Sequence, residues 1–190
     1  MVLVCIWGEL DSLPAPSLPR GHLLREMDMG DDAEVRRWLA VHNAAFRHRW
    51  GLEEYRRAIL EHPHFVIRHT IFVIEGDTPL GVASAGTFRR NPSVGVGHYL
   101  GVVPGARGRG LGRALVLERF RLLREARVGV GESETTLSRT SSLALHLNLG
   151  FRPKYELDPW NSPDEASPLL RALANARLRR LHHRFGHILA

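Results

Sequence analysis

The residues best equipped for chemistry lie in one stretch, Leu100 to Leu115, where glycines and arginines alternate: Arg107, Gly108, Arg109, Gly110, Leu111, Gly112, Arg113. Glycines at 108, 110 and 112 let an anion approach the backbone without a Cβ in the way. The three arginines supply positive charge. The stretch follows a strand-like pattern and opens a leucine-rich helical one. The first amides of a helix lack partners, and its dipole is positive at that end, so an anion docks there. The spacing predicts a pyrophosphate cradle. It is not a P-loop, because Gly112-Arg113-Ala114 stands where Gly-Lys-Ser/Thr is required. It is not a dinucleotide fingerprint either: Arg113 takes the place of the third glycine, and the segment falls mid-chain after a hairpin pattern.

Acid–base candidates are sparser. The strand leading into the cradle holds no carboxylate; His98 and Tyr99 are its polar side chains. Strict alternation places these two on opposite faces, with His98 sharing parity with Leu100 and Val102. Glu132 and Glu134 lie on the next predicted strand, from which they could act through water. His182, His183 and His187 have no accompanying carboxylate pattern, and the single cysteine, Cys5, excludes an internal disulfide or a multi-cysteine zinc site. No metal site is expected.

The elements that must position these groups follow from periodicity and punctuation. Residues 2–7 form an apolar run, read as an extra strand or a tail. Pro14, Pro16 and Pro19 mark an extended linker. A first strand is predicted over 22–27, and Asp31 or Asp32 caps a helix carrying Val35, Trp38, Leu39, Val41, His42 and Phe46. A short helix over 52–60 follows. Residues 70–74 and 80–88 form a hairpin around a turn at 75–79. A strand over 94–103, a helix over 110–127, a strand over 135–137, a helix over 142–149 stopped by Gly150, and a strand over 151–157 complete the pattern. The result is a mixed α/β (α+β) fold around one sheet.

The chain has 190 residues, 44% hydrophobic and 24% charged, which excludes wholesale disorder and suits one domain with an appendage. We divide it into an N-terminal extension over 1–19, a main domain over 20–158 and a basic amphipathic helical extension over 159–190. In the last, Leu170, Leu173, Leu178, Leu181 and Phe185 face away from an arginine- and histidine-rich side. That helix either caps the domain or pairs with a second copy in a homodimer. The net charge of +6 predicts anionic partners. Apart from Phe185 the basic face of the tail lacks interleaved aromatics, which argues against a nucleic-acid partner. The apolar run at 2–7 is too short to cross a membrane and lacks the basic flank of a leader, so no membrane partner and a cytoplasmic location are expected.

The motif from Val102 to Gly112 resembles the acyl-CoA-binding signature of the Gcn5-related N-acetyltransferase (GNAT) superfamily, Arg/Gln-x-x-Gly-x-Gly/Ala after Val-x-Pro; Arg107, Gly110 and Gly112 fill its positions. The run Ser142 to Phe151 resembles the helix that precedes Leu-Gly-Phe in that family. The segment from Ala45 to Gly51 is similar to the branch that includes mycothiol synthase. The resemblance implies a strongly twisted, splayed sheet flanked by helices, with acetyl-CoA as acyl donor. Its pantetheine arm would pair with the backbone of Leu100, Gly101 and Val102, and its pyrophosphate would rest on Gly108 to Arg113. The Val102 amide would polarise the thioester carbonyl. His146 stands where the family often holds a thiolate-protonating tyrosine, and Arg139 where it often holds an asparagine. The implied activity is transfer of an acetyl group to a primary amine of a small molecule or peptide. The catalytic candidates are His146, His98, Tyr99 and Glu134. The alternative is a non-catalytic acyl-CoA-binding or sensor module.

Overall fold

In the computed structural model, which describes residues 3–136 and 139–153, the first element after the proline-rich linker is a five-residue strand, and its residues show why the rest assembles on it. Numbered from the N-terminus, β1 is Leu3–Glu9, and the strand in question is β2, His22–Glu26. Helix α1, Asp32–Phe46, starts where Asp31 Oδ1 accepts the amides of Ala33 at 2.6 Å and Glu34 at 3.3 Å. It ends at Arg47, in the left-handed region with φ 58°. Its buried face is Val35, Trp38, Leu39, Val41 and His42, as the periodicity predicts. Glu34 on the same helix is also buried. It is held by Arg25 of β2 at 2.6 Å and by Arg37 at 3.1 Å, and the Arg25 hydrogen bond first of all keeps its carboxyl below the usual range.

Helix α2, Leu52–Tyr55, passes directly into a π-helical turn over Arg56–Leu60. The expected single helix is therefore two kinds of turn, with Glu61 N–H reaching back to the Arg56 carbonyl at 2.8 Å. Strands β3, Phe65–Glu75, and β4, Thr78–Phe88, form the hairpin, longer at both ends than its apolar runs indicate. Strand β5, Val94–Val102, follows, then a 3₁₀ turn over Pro104–Ala106 and helix α3, Leu111–Glu125. Strand β6 is Val130–Thr136, helix α4 Thr140–Leu147 and strand β7 Arg152–Pro153.

The described chain divides into two compact units. In Leu10–Gly131, strands β2, β3, β4 and β5 form an antiparallel meander. Helix α3 closes its core, with Leu111 and Leu115 packed on Ile71, Val73 and Ala83. In the other unit, β1 lies between β6 and β7 and runs antiparallel to β7, with Ile6 opposite Pro153 and Trp7 opposite Arg152. The run at the N-terminus is thus a strand. Gly8 belongs to it because a Cβ there would meet the Phe151 ring at 3.0 Å. The predicted helix over the C-terminal tail lies outside the described residues, as does most of the last predicted strand.

Candidate functional site: an open helix start beside a bulged strand

Strand β5 and the turn after it set the geometry. Gly81 opposes Val102 and Val82 opposes Gly101, but Ser84 opposes His98, so Tyr99 and Leu100 face the single residue Ala83. This is a β-bulge, and Tyr99 occupies it with φ 44°, a left-handed conformation unusual for a tyrosine. The bulge overturns the alternation expected from sequence. His98 shares its face with Gly101 instead of with Leu100 and Val102, and the His98 and Tyr99 rings lie side by side with centroids 3.8 Å apart. One extra residue in the strand is the physical reason, since it shifts the two-residue period by one.

Beyond the bulge the register is regular. Val103 N–H donates to the Leu80 carbonyl at 2.9 Å. Bonded and non-bonded pairs alternate along an antiparallel ladder, so the Val102 amide points away from β4. The Val102 carbonyl accepts Arg107 Nε at 3.1 Å, and an Arg107 amino group donates to the Ala45 carbonyl at 2.9 Å. The first arginine of the motif therefore ties the end of α1 to the end of β5 in addition to contributing charge. Gly101 makes this approach feasible: a Cβ there would lie 2.9 Å from both Ala45 Cβ and Phe46 Cε2.

Gly108 and Gly110 have φ 78° and 82°, and open space surrounds the position of a Cβ at each. Among the described residues, the amides from Gly108 to Gly112 donate to no backbone carbonyl, whereas Arg113 and Ala114 both donate to the Gly110 carbonyl, at 3.0 and 3.1 Å. Adjacent amides are thus left for an anion at the positive end of α3. Arg109 leans back onto the Gly105 carbonyl at 3.1 Å and toward Glu75 at 3.9 Å, while Arg113 is exposed.

Next to the bulge lies an aromatic cluster in which helix periodicity marks only Trp38 and His42. Trp38 and His42 stack at 4.6 Å, Trp38 meets Tyr55 edge-on at 5.0 Å, and Trp50 lies 4.3 Å from His42 and 5.3 Å from Tyr99. Asn43 fixes Trp50 by a two-way clasp: its Nδ2 donates to the Trp50 carbonyl and its Oδ1 accepts the Trp50 amide, both at 2.9 Å. No local pattern marks this pair. His98 Nε2 is buried without a partner among the described residues. Burial foremost, then the charges of His62, Arg119 and His42, push the His98 imidazole down to about 3, so it is neutral at physiological pH. Burial pushes the Tyr99 phenol up to about 12, which keeps its proton in place.

In the other unit, His146 is buried at 2% exposure on α4 and meets the Phe151 ring edge-on at 5.5 Å. Its Nδ1 lies 2.8 Å from the Ser142 carbonyl. A carbonyl only accepts, so in the neutral ring the proton sits on Nδ1. Proton donation from Nε2 therefore requires the imidazolium. Glu134 is exposed on β6, and Glu132 is buried. No described cluster of three or more His, Cys, Asp or Glu side chains is arranged to hold a metal, and no described helix is long and apolar enough to cross a membrane.

The bulged strand, the open helix start and the Leu-Gly-Phe turn occur together within residues 34–151, which match the model of the acetyltransferase (GNAT) family. The chain belongs to that family. A GNAT from Sphaerobacter thermophilus shares the fold, with TM-score 0.63 and 24% identity over 80% of this chain and 48% of that one. The ribosomal-protein-S18-alanine N-acetyltransferase from Escherichia coli superposes with TM-score 0.56 at 15% identity, covering 68% of this chain and 76% of that one. In sequence the chain is 30% identical over 159 residues to a mycothiol acetyltransferase of Pseudarthrobacter chlorophenolicus, 80% of this chain and 48% of that protein. It is 32% identical over 148 residues to one of Thermobispora bispora, 73% of this chain and 49% of that protein. This GNAT chain spans about half the length of these curated relatives.

Proposed function

We propose that this GNAT chain is an acetyl-CoA-dependent N-acetyltransferase acting on a primary amine, in the cytoplasm, with residues 20–158 as the catalytic domain. The observation that carries the reading is the set of amides from Gly108 to Gly112 that, among the described residues, donate to no backbone carbonyl at the start of α3, flanked by Arg107, Arg109 and Arg113. Such a start suits a pyrophosphate. Bound acetyl-CoA would supply an activated thioester carbonyl.

The chain's own groups would then divide the work. The Val102 amide, directed away from β4, would offer a hydrogen bond to the carbonyl oxygen as negative charge builds there. The backbone of Leu100 and Gly101 would align the donor's arm. The amine must arrive neutral to attack. A neutral His98, whose Nε2 has no hydrogen-bond partner among the described residues, is suited to accept a hydrogen bond from that amine and orient it. Exposed Glu134 would be a second candidate base, acting through water. Tyr99, held as a phenol, adds a donor beside His98. His146, once protonated on Nε2, would return a proton to the departing thiolate.

Calorimetry with acetyl-CoA and a thiol-release assay over an amine panel test the proposal. The panel should include acceptors related to mycothiol, for which the curated relatives are named. Gly110→Asp should abolish binding, because it places a carboxylate and a strained left-handed residue where the phosphate would sit. Unchanged affinity in that variant would refute the cradle. Tight binding with no thiol release from any amine would favour a non-catalytic acyl-CoA module.

A further inference from the structure

We propose that Arg107 is a positioning residue for acetyl transfer: its guanidinium braces the outward-facing edge of β5 against the end of α1 and so fixes the Val102 amide that meets the thioester carbonyl. That is a task positive charge alone does not perform, and it rests on the acetyltransferase reading above.

Local structure aims the side chain. Strand β5 ends at Val102, and Pro104 opens the 3₁₀ turn over Pro104–Ala106. In that turn the Ala106 amide donates to the Val103 carbonyl at 3.0 Å, and the Arg107 amide donates to the Pro104 carbonyl at 3.3 Å. Ala106 is buried in the core with Leu111 and Leu115 of α3, which anchors the turn. The chain thereby folds back, and Arg107 lies beside the strand it has just left. Its Nε donates to the Val102 carbonyl at 3.1 Å while an amino group reaches the Ala45 carbonyl at 2.9 Å. Ala45 lies in the last turn of α1, where carbonyls have no amide ahead of them in the helix. The last turn itself holds no basic side chain. Arg107 brings from 62 residues away both the hydrogen bond and the positive charge that a helix C-terminus favours.

The consequence for chemistry lies in the peptide between Val102 and Val103. Its N–H donates to the Leu80 carbonyl of β4 at 2.9 Å, and its C=O accepts Arg107 at 3.1 Å, so it is held from both sides. The Val102 amide, one peptide earlier, projects from the same outward edge as that carbonyl. It follows Gly101, whose missing Cβ admits Ala45 and Phe46 but also leaves the backbone freer to turn. Arg107 braces this edge from the side opposite β4. A guanidinium does so because its N–H groups form a rigid fork that bridges two carbonyls; a lysine ammonium carries the same charge without the fork. The alignment matters because a misplacement of about 1 Å costs on the order of 10²-fold in rate.

The test uses the full chain and acetyl-CoA labelled with carbon-13 at the acetyl carbonyl. On the wild type the carbonyl resonance should move downfield, the mark of a hydrogen bond to its oxygen. Arg107→Lys should keep acetyl-CoA affinity near the wild-type value by calorimetry, because the charge is retained. It should return the resonance most of the way to its position in free acetyl-CoA. With an amine from the panel it should slow thiol release by about tenfold or more, toward the roughly 10²–10³ lost when an oxyanion donor is removed. Equal resonances in variant and wild type, or a loss confined to acetyl-CoA affinity, would overturn the assignment. A second arm needs no variant to fold. In the wild type the Arg107 Nε–H resonance should exchange slowly with solvent and stay in place when acetyl-CoA binds, while the amides from Gly108 to Gly112 shift. A large shift of Nε–H at saturation would show the guanidinium leaving its carbonyls for the pyrophosphate, and would equally overturn it. Failure of the wild type to bind acetyl-CoA would instead sink the acetyltransferase reading, whereas binding with an unaltered lysine variant removes only the role of Arg107.

Discussion

His146 and His98 show how one hydrogen bond, or the lack of one, assigns a role to a residue type that is otherwise ambiguous. His146 Nδ1 donates a hydrogen bond to the Ser142 carbonyl, so Nε2 can act as an acid only when the ring is doubly protonated. His146→Phe should lower kcat by at least about tenfold, within the range for loss of a general acid, and leave acetyl-CoA affinity intact. Near-normal kcat in the variant would mean that the ring only packs on Phe151. His98 makes a different prediction. Its folded value of about 3 lies below the ordinary 6.5, so between these values the unfolded chain binds a proton that the folded chain refuses. The stability it lends is complete above pH 6.5 and drains away as pH falls toward 3. The melting temperature should drop on acidification from pH 7 to 4.5, and His98→Phe should flatten that slope. Equal slopes in a scan of both proteins would show that His98 is protonated without penalty.

Between elements, α1 and β5 are held by contacts that depend on small or polar residues. The Asn43 clasp fastens residues 47–50 to the end of α1 and sets Trp50 against His42 and Tyr99. Asn43→Ala breaks both bonds and strands the Trp50 amide and carbonyl, an effect of about 1–3 kcal/mol per buried group, discounted where water reaches them. Lower melting temperature and a red-shifted, more readily quenched tryptophan emission are expected; an unaltered spectrum would show that the aromatic packing alone holds the loop. Gly101 is the corresponding steric requirement. Gly101→Val would press on Ala45 and Phe46 and displace α1 from the Val102 edge. Acetyl-CoA affinity should suffer along with stability, which calorimetry and thermal melts on one preparation can compare.

Across the whole molecule the net charge of +6 and the exposed arginines around α3 act together. An anionic donor approaching this surface is drawn in by a field that salt screens over about 10 Å at 0.1 M. Acetyl-CoA affinity should fall as ionic strength rises from about 0.05 to 0.5 M, where the screening length shortens to a few ångströms. A flat salt dependence would assign the binding to the uncharged amides and apolar contacts alone. The amides from Gly108 to Gly112 lie in the compact unit Leu10–Gly131 and His146 in the other.

Local chemistry was legible in the sequence. The Asp31 cap, the 3.6-residue face of α1, the β3–β4 hairpin and the glycine–arginine turn before α3 depend on neighbours a few residues away, and each appears where its pattern puts it. The resemblance of residues 102–112 and 142–151 to GNAT motifs added the family, which the match over 34–151 bears out. Tertiary pairing decided the rest. The bulge at Tyr99 exists because β5 must meet β4 in two registers, one on each side of Ala83, and no period within a single strand encodes the partner's register. It turned His98 and Tyr99 from residues on opposite faces into neighbours. The Arg107 clamp joins residues 62 positions apart, and the hydrogen bond from Arg89 Nε to the His62 carbonyl joins two loops 27 positions apart. Contacts across such intervals depend on where the folded backbone brings carbonyls within reach, which a short sequence pattern does not contain.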